Sequence, residues 1–323
     1  MSSELRKRAV SLGETAIETA TVSRGSRGKL LVTGTSSGAP SGQRGRLCRY
    51  EELPAWQQDN DCIRTGYVRE TLSVRRCLGS LLYWNNESVN MYSHLVPAVL
   101  YIAGATLALS QWGVPRFPTT TWSDYLIINT FLVGAGACLL CSSLFHCLKQ
   151  HSERHCEAWS RMDYMGIILL IACSTIPMIY FGYFDYMGHC LLFTAVTVAL
   201  GVACSGVVLF NKQFNSSSFK LVRAAFFIAF AFNGLIPMAT GFVKFGIPGV
   251  LDRISLKYVW FEAVFYIAGA MLYGFRVPEI WIPGKVDLWG NSHQMFHVMV
   301  VFGSLCHLKA VLESYSLMHR HLA

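Results

Sequence analysis

An all-α, integral membrane bundle of seven transmembrane helices with a cytosolic N-terminal extension is the fold class that three observations predict for these 323 residues. Hydrophobic residues make up 53% of the chain and charged ones 14%. Mean hydropathy is +0.37, well above that of soluble domains. Seven apolar stretches approach the roughly 20 residues needed to cross a hydrocarbon core of about 30 Å.

Taken in order, residues 1–50 are expected to be a disordered cytosolic tail, because "TVSRGSRGKLLVTGTSSGAPSGQRGRLCR" is rich in Gly, Ser and Arg and too poor in apolar groups to form a core. Residues 51–88 form a cytosolic segment with a short interfacial helix. There Arg75 and Arg76 suit anionic lipid, while Leu78, Leu81, Leu82 and Trp84 suit the interface. The bundle occupies 89–312, with spans at 89–112, 122–148, 162–181, 189–210, 222–243, 258–275 and 293–312. Mostly short connections require these spans to pack as one antiparallel unit, each satisfying its own backbone polar groups. Pro97, Pro177 and Pro237 fall inside spans and are expected to kink them. Residues 313–323 are left as a short extracytoplasmic tail. No signal-peptide core follows Met1, so the first span is expected to direct insertion.

The 11 cysteines are odd in number, and several lie in apolar spans, where a free thiol behaves as a small hydrophobe. Cys138 and Cys141 form a CxxC pair inside a span, without a second such pair, and are read as packing.

Charge distribution sets the orientation. Arg64, Arg69, Arg75 and Arg76 precede the first span, and the loops on that side add Lys149, Arg154, Arg161, Lys212, Lys220, Arg223, Arg276 and Lys285. The opposite side carries Arg116, Lys244, Arg253 and Lys257. The positive-inside rule therefore expects a cytosolic N-terminus and an extracytoplasmic C-terminus. Asn86 and Asn215 head N-x-S sequons on the cytosolic side and are expected to stay unglycosylated.

That orientation gathers residues scattered in sequence. His146 ends the second span, Asp163 begins the third, and His293 and His297 begin the seventh, all at the cytosolic leaflet. His293 and His297 are four apart and share a helix face; His146 makes a third imidazole. HxxxH at a helix start is also compatible with interfacial hydrogen bonding, but the convergence with His146 and Asp163 favours metal. Three neutral nitrogens suit Zn²⁺ with the fourth tetrahedral position left to water, the pattern of catalytic rather than structural zinc. Ser142 precedes His146 by one turn and suits a substrate oxygen or a water. Asp163 fits either of two roles, orienting a histidine or accepting a proton as general base. His94 is expected to hydrogen-bond within the bundle, His151 and His155 to face solvent, His189 to lie on the outer face, and the histidines at 319–321 to belong to a frayed tail.

These residues also carry a resemblance. "ELPAWQQDNDCIRTGY", "SVRRCLGSLLYWNNESVNMYSHLVP", "CSSLFHCLKQHSERHCEAWSRMDYMGIILLI" and "YIAGAMLYGFRVPEIWIPGKVDLWGNSHQMFHVMVVFG" resemble the progestin and adipoQ receptor family, which groups adiponectin receptors with haemolysin III proteins. Among its members, the adiponectin-receptor-like and fungal zinc-homeostasis or osmotin-receptor proteins look nearest. The resemblance covers roughly 50–310 and rests most on the SxxxH, the following aspartate and the SHxxxH. It implies seven helices, a cytosolic N-terminus, and a zinc ion held by His146, His293 and His297, with Ser142 and Asp163 at the other site positions. It further implies roles in lipid metabolism, receptor signalling, ceramidase-like amide hydrolysis and, in fungi, zinc and sterol homeostasis.

The expected function is zinc-dependent hydrolysis of a lipid amide such as ceramide by a receptor-like membrane protein. The alternative is a non-catalytic signalling receptor with structural zinc. Transport ranks below both, because the outer halves of the spans read as nearly devoid of ionisable residues. The expected partners are membrane lipids (ceramide, sphingolipid or fatty acid), an extracellular protein ligand and a second copy of the chain, with no nucleic acid. The plasma membrane and the endoplasmic reticulum both fit.

Overall fold

The computed structural model describes residue 45 and residues 47–109 and 114–323. Most of the expected disordered tail, and the end of the first expected span, therefore lie outside the described residues.

The described residues open with a two-stranded antiparallel ribbon, β1 (Leu47–Cys48) paired with β2 (Tyr67–Val68), so Leu47 and Cys48 of the expected tail lie in a strand. Cys48, Leu53, Ile63 and Tyr67 form its small core. A six-residue helix α1 (Val74–Gly79) follows, capped by the Ser73 side chain. Leu78, Leu82 and Trp84 stand exposed along α1 and the turn after it, while Leu81 is half-buried against Cys77 and Met91.

The bundle comprises α2 (Ser88–Leu109), α3 (Trp122–Leu148), α4 (Glu153–Gly182), α5 (Met187–Phe210), α6 (Lys220–Ala231), α7 (Leu235–Leu251), α8 (Leu256–Phe275) and α9 (Ser292–Leu322). With α6 and α7 joined by a single 3-10 turn at Phe232–Gly234, six stretches among the described residues are long and apolar enough to cross a membrane. The first expected span forms α2, whose opening turns carry Ser88, Asn90, Ser93 and His94. Met91, His94, Ala98, Tyr101 and Ala105 recur at helical spacing along its one buried face.

Two elements differ from the sequence reading. The fifth stretch runs to Leu251, well past 243, and its sharpest break is at Gly246, where φ of +69° requires glycine, just before Pro248. Pro237, expected to kink the middle of a span, sits in the first turn of α7, where its missing N–H costs least. The expected tail at 313–323 is the end of α9. Tyr315, Met318 and His319 continue the buried face set by His307 and Val311, and that burial keeps the last turns helical.

The principal core lies among α2, α3, α4 and α9, with Tyr101, Phe131, Leu139, Val311 and Tyr315 buried together. Glycines bring α3 and α4 close: a Cβ on Gly166 would meet the Cys138 Cα at 3.0 Å. All 11 thiols are free.

The ribbon segment is fastened to residues 276–291, which lead into α9. Asp287 accepts from the Arg64 backbone N–H at 3.1 Å and the Thr65 hydroxyl at 2.7 Å. Buried Glu279 accepts from Asn60 at 3.2 Å and from the Ser292 N–H at 2.7 Å, and also bonds the Ser292 hydroxyl. Asn291 caps α9 through the Gln294 N–H at 3.1 Å. The first turn of α9 is thus fixed from several directions immediately before His293.

Candidate metal centre

Three helix ends meet at this end of the bundle. α3 contributes His146 from its last turn, α9 contributes His293 and His297 from its first two turns, and α2 packs beside them. One ligating atom from each of these histidines lies within 4.8 Å of the other two. Ring centroids are 4.8 Å apart for His146–His297 and 4.9 Å for both His146–His293 and His293–His297. His146 is fully buried, His297 is 1% exposed, and His293 is half-buried against Tyr273 at 4.8 Å.

Hydrogen bonding fixes the ring tautomers. His146 Nδ1–H donates to Glu87 Oε2 at 2.7 Å, leaving Nε2 buried with no protein partner. His297 Nδ1–H donates to the Asn90 carbonyl at 3.2 Å, which leaves its Nε2 as the lone-pair nitrogen. A buried imidazole nitrogen without a donor is costly, and a bound cation removes that cost. These residues fit a zinc ion: three imidazoles within reach of one point, two of them with Nδ1 engaged as ligating histidines require.

Glu87 is a site residue that the sequence reading missed. It is 6% exposed and also takes a 2.6 Å contact from Lys149 Nζ and a 2.8 Å bond from Asn90 Nδ2. Burial pushes its carboxyl up, but the Lys149 ammonium and His146 outweigh that and hold it well below the usual range. Lys149 is itself pushed up: burial opposes its charge, and Glu87 more than compensates. A signal was available. A histidine that binds metal through one nitrogen needs an acceptor at the other. Glu87 is the acidic residue at the start of the neighbouring helix.

Asp163 sits half-buried in α4, takes a hydrogen bond from the buried Ser142 hydroxyl and lies within electrostatic reach of His146. All five expected site residues therefore gather at this end of the bundle, with Ser142 attached to Asp163. His94 is a bundle bond, its Nε2 lying 3.2 Å from the His297 carbonyl and its ring stacked on His297 at 3.8 Å. His151 and His155 are half-buried and share the Ser152 hydroxyl, so they do not simply face solvent. His189 stacks on Tyr183, and His319 is buried against Thr119 at 2.6 Å, correcting the expectation of a frayed tail. The far half of the bundle is not devoid of ionisable groups either: buried Asp124 faces His319, and Glu262 faces His307.

Long apolar helices around a buried three-histidine cluster define a class: integral membrane proteins with a candidate metal site near one end of the bundle. Within it the chain belongs to the haemolysin-III related family, which matches residues 82–308. It is 49% identical over 274 residues to the ADIPOR-like receptor IZH1 of Eremothecium gossypii, covering 84% of this chain and 85% of that protein. It is 43% identical over 274 residues to the ADIPOR-like receptor IZH2 of Saccharomyces cerevisiae, covering 85% and 86%. It is 33% identical over 268 residues to the adiponectin receptor protein of Drosophila melanogaster, covering 83% and 59%.

Proposed function

We propose that this protein is a seven-helix, receptor-like membrane hydrolase that cleaves a lipid amide of the ceramide class at a zinc site near the cytosolic face. The observation that carries this reading is the buried, partnerless Nε2 of His146, facing His293 and His297 beside the Asp163–Ser142 pair. His146, His293 and His297 hold the metal. Zinc, when bound, supplies Lewis acidity towards a carbonyl and lowers the pKa of a water.

The remaining chemistry belongs to the chain. Asp163 accepts a proton at its carboxylate from the attacking water and returns it to the amide nitrogen as the C–N bond breaks. Ser142, donating to Asp163, keeps the free carboxylate oxygen turned towards the reacting atoms. Glu87 holds His146 in the ligating tautomer. The apolar helices exclude bulk water, and a membrane lipid reaches this depth laterally from the leaflet.

A second reading, a signalling receptor with structural zinc, draws support from the near-complete burial of His146 and His297 and from the word "receptor" in its relatives' names. Zinc per chain by mass spectrometry is expected near one for the wild type and sharply reduced in His146→Ala, His293→Ala and His297→Ala. Ceramide turnover by purified protein is then compared between wild type and Asp163→Ala at equal zinc occupancy. Equal rates would sink the hydrolytic reading and leave the structural one.

A further inference from the structure

The far half of the bundle contains an ionisable pair that the proposed chemistry does not use. His307 on α9 is 3% exposed, and its Nδ1 lies 2.7 Å from Oε2 of Glu262 on α8. Its other nitrogen, Nε2, lies 3.1 Å from the carbonyl of Ser174 on α4. Phe131 of α3 covers the ring at 4.7 Å between centroids. His307 stands roughly four turns along α9 from His293, about 21 Å away, so the pair is remote from the metal site.

Its protons can be counted from the geometry. A carbonyl only accepts, so Nε2 carries a hydrogen towards Ser174. A second hydrogen occupies the Nδ1–Oε2 contact. Whether that hydrogen belongs to the ring or to the carboxyl, the pair is neutral overall, as burial at membrane depth requires. Pro177 lies three residues beyond Ser174 and offers no N–H to the ladder of α4, which leaves the neighbouring Cys173 carbonyl without its helical donor. The pair therefore ties three helices together.

We propose that Glu262 and His307 are a positioning pair, fixing α4, which carries Asp163, against α9, which carries His293 and His297. This rests on the reading of Asp163 as the proton acceptor. The segment from Asp163 to Ser174 contains no proline, and α9 is unbroken from His297 to His307. A displacement of α4 at the pair is therefore carried to Asp163, while α9 stays held by its packing on α8 and α2. The three histidines come only from α3 and α9, so the metal shell does not depend on α4 and Asp163 does. Releasing the pair separates these two consequences.

The test uses the full chain in phospholipid nanodiscs. Three quantities are read: zinc per chain, turnover of a fluorescent ceramide, and backbone hydrogen exchange over 160–182. The variants are Glu262→Gln, whose side-chain amide N–H donates to Nδ1 of a neutral ring, His307→Leu, and the double variant Glu262→Leu/His307→Leu, which leaves no buried charge unpaired. Expected is wild-type zinc content in all three. In both leucine variants exchange across 160–182 accelerates and kcat falls roughly tenfold or more, with KM within about twofold, as displacement of a reacting group produces. Glu262→Gln stays near wild type. Unchanged exchange in His307→Leu overturns the proposal, as does loss of zinc in parallel with activity, or recovery of wild-type exchange and kcat in the double variant. Should the wild type turn over no ceramide, the hydrolase reading fails alone. The exchange comparison still upholds or overturns the positioning of α4.

Discussion

Glu87 shows how much of the candidate site depends on a residue outside any histidine motif. Its carboxylate meets His146, Lys149 and Asn90 at once, so it fixes a ring orientation, neutralises a half-buried ammonium and anchors the first turn of α2. Glu87→Gln keeps the volume but removes the charge, leaving the Lys149 ammonium without its counter-ion and weakening the hold on His146 Nδ1–H. Zinc affinity, read by competition with a chelator of known strength, is expected to fall about 10- to 100-fold, the usual cost of losing an outer partner of a metal-bound histidine. An unchanged affinity would mean that His146 is oriented by packing alone. The same residue marks a limit of sequence reading. His293 and His297 announce themselves by their spacing on one helix face, whereas Glu87 and His146 meet only because α2 and α3 pack together.

Between α3 and α4 the decisive feature is the absence of side chains. Gly166 lies one turn from Asp163, and a Cβ there would press on the backbone of Cys138, which cannot rotate away. Gly166→Val is therefore expected to destabilise the fold by about 1–3 kcal/mol through overpacking, read as a lower thermal midpoint in detergent. Gly188→Val, at a position with open space around it, serves as the control. Equal midpoints for the two variants would show that α3 and α4 separate freely. The length of the apolar runs made the helices readable, since about 20 such residues are needed to cross a bilayer core. It could not reveal the break at Gly246, where one residue adopts a positive φ inside an otherwise apolar run. Nor could it reveal the last turns of α9, because Tyr315 and His319 are buried by Thr119, Thr120 and the Pro115 carbonyl, all distant in sequence. The far-half pair escaped for the same reason. Glu262 is a single charge in an apolar span until α9 brings His307 beside it.

At the scale of the whole molecule, the orientation in the membrane decides which compartment the three-histidine end addresses. Lysine and arginine are concentrated on the side of Arg75, Arg76, Lys149 and Lys285, which the positive-inside rule assigns to the cytosol. The natural sequons are poor reporters of this. Asn86 is only 5% exposed and its backbone N–H is bonded to the Gly66 carbonyl, so it would escape glycosylation on either side of the membrane. Epitope tags joined before Met1 and after Ala323 avoid that ambiguity. An antibody is expected to reach the first tag once the plasma membrane alone is permeabilised, and the second tag either in intact cells or only after every membrane is opened, according to the membrane that holds the chain. The reverse pattern would put the histidine site at the extracytoplasmic face, where a lipid amide would have to come from the opposite leaflet. Access of both tags to the same compartment would mean an even number of crossings. The span to question would then be α2, whose opening turns place Ser88, Asn90, Ser93 and His94 ahead of its apolar residues.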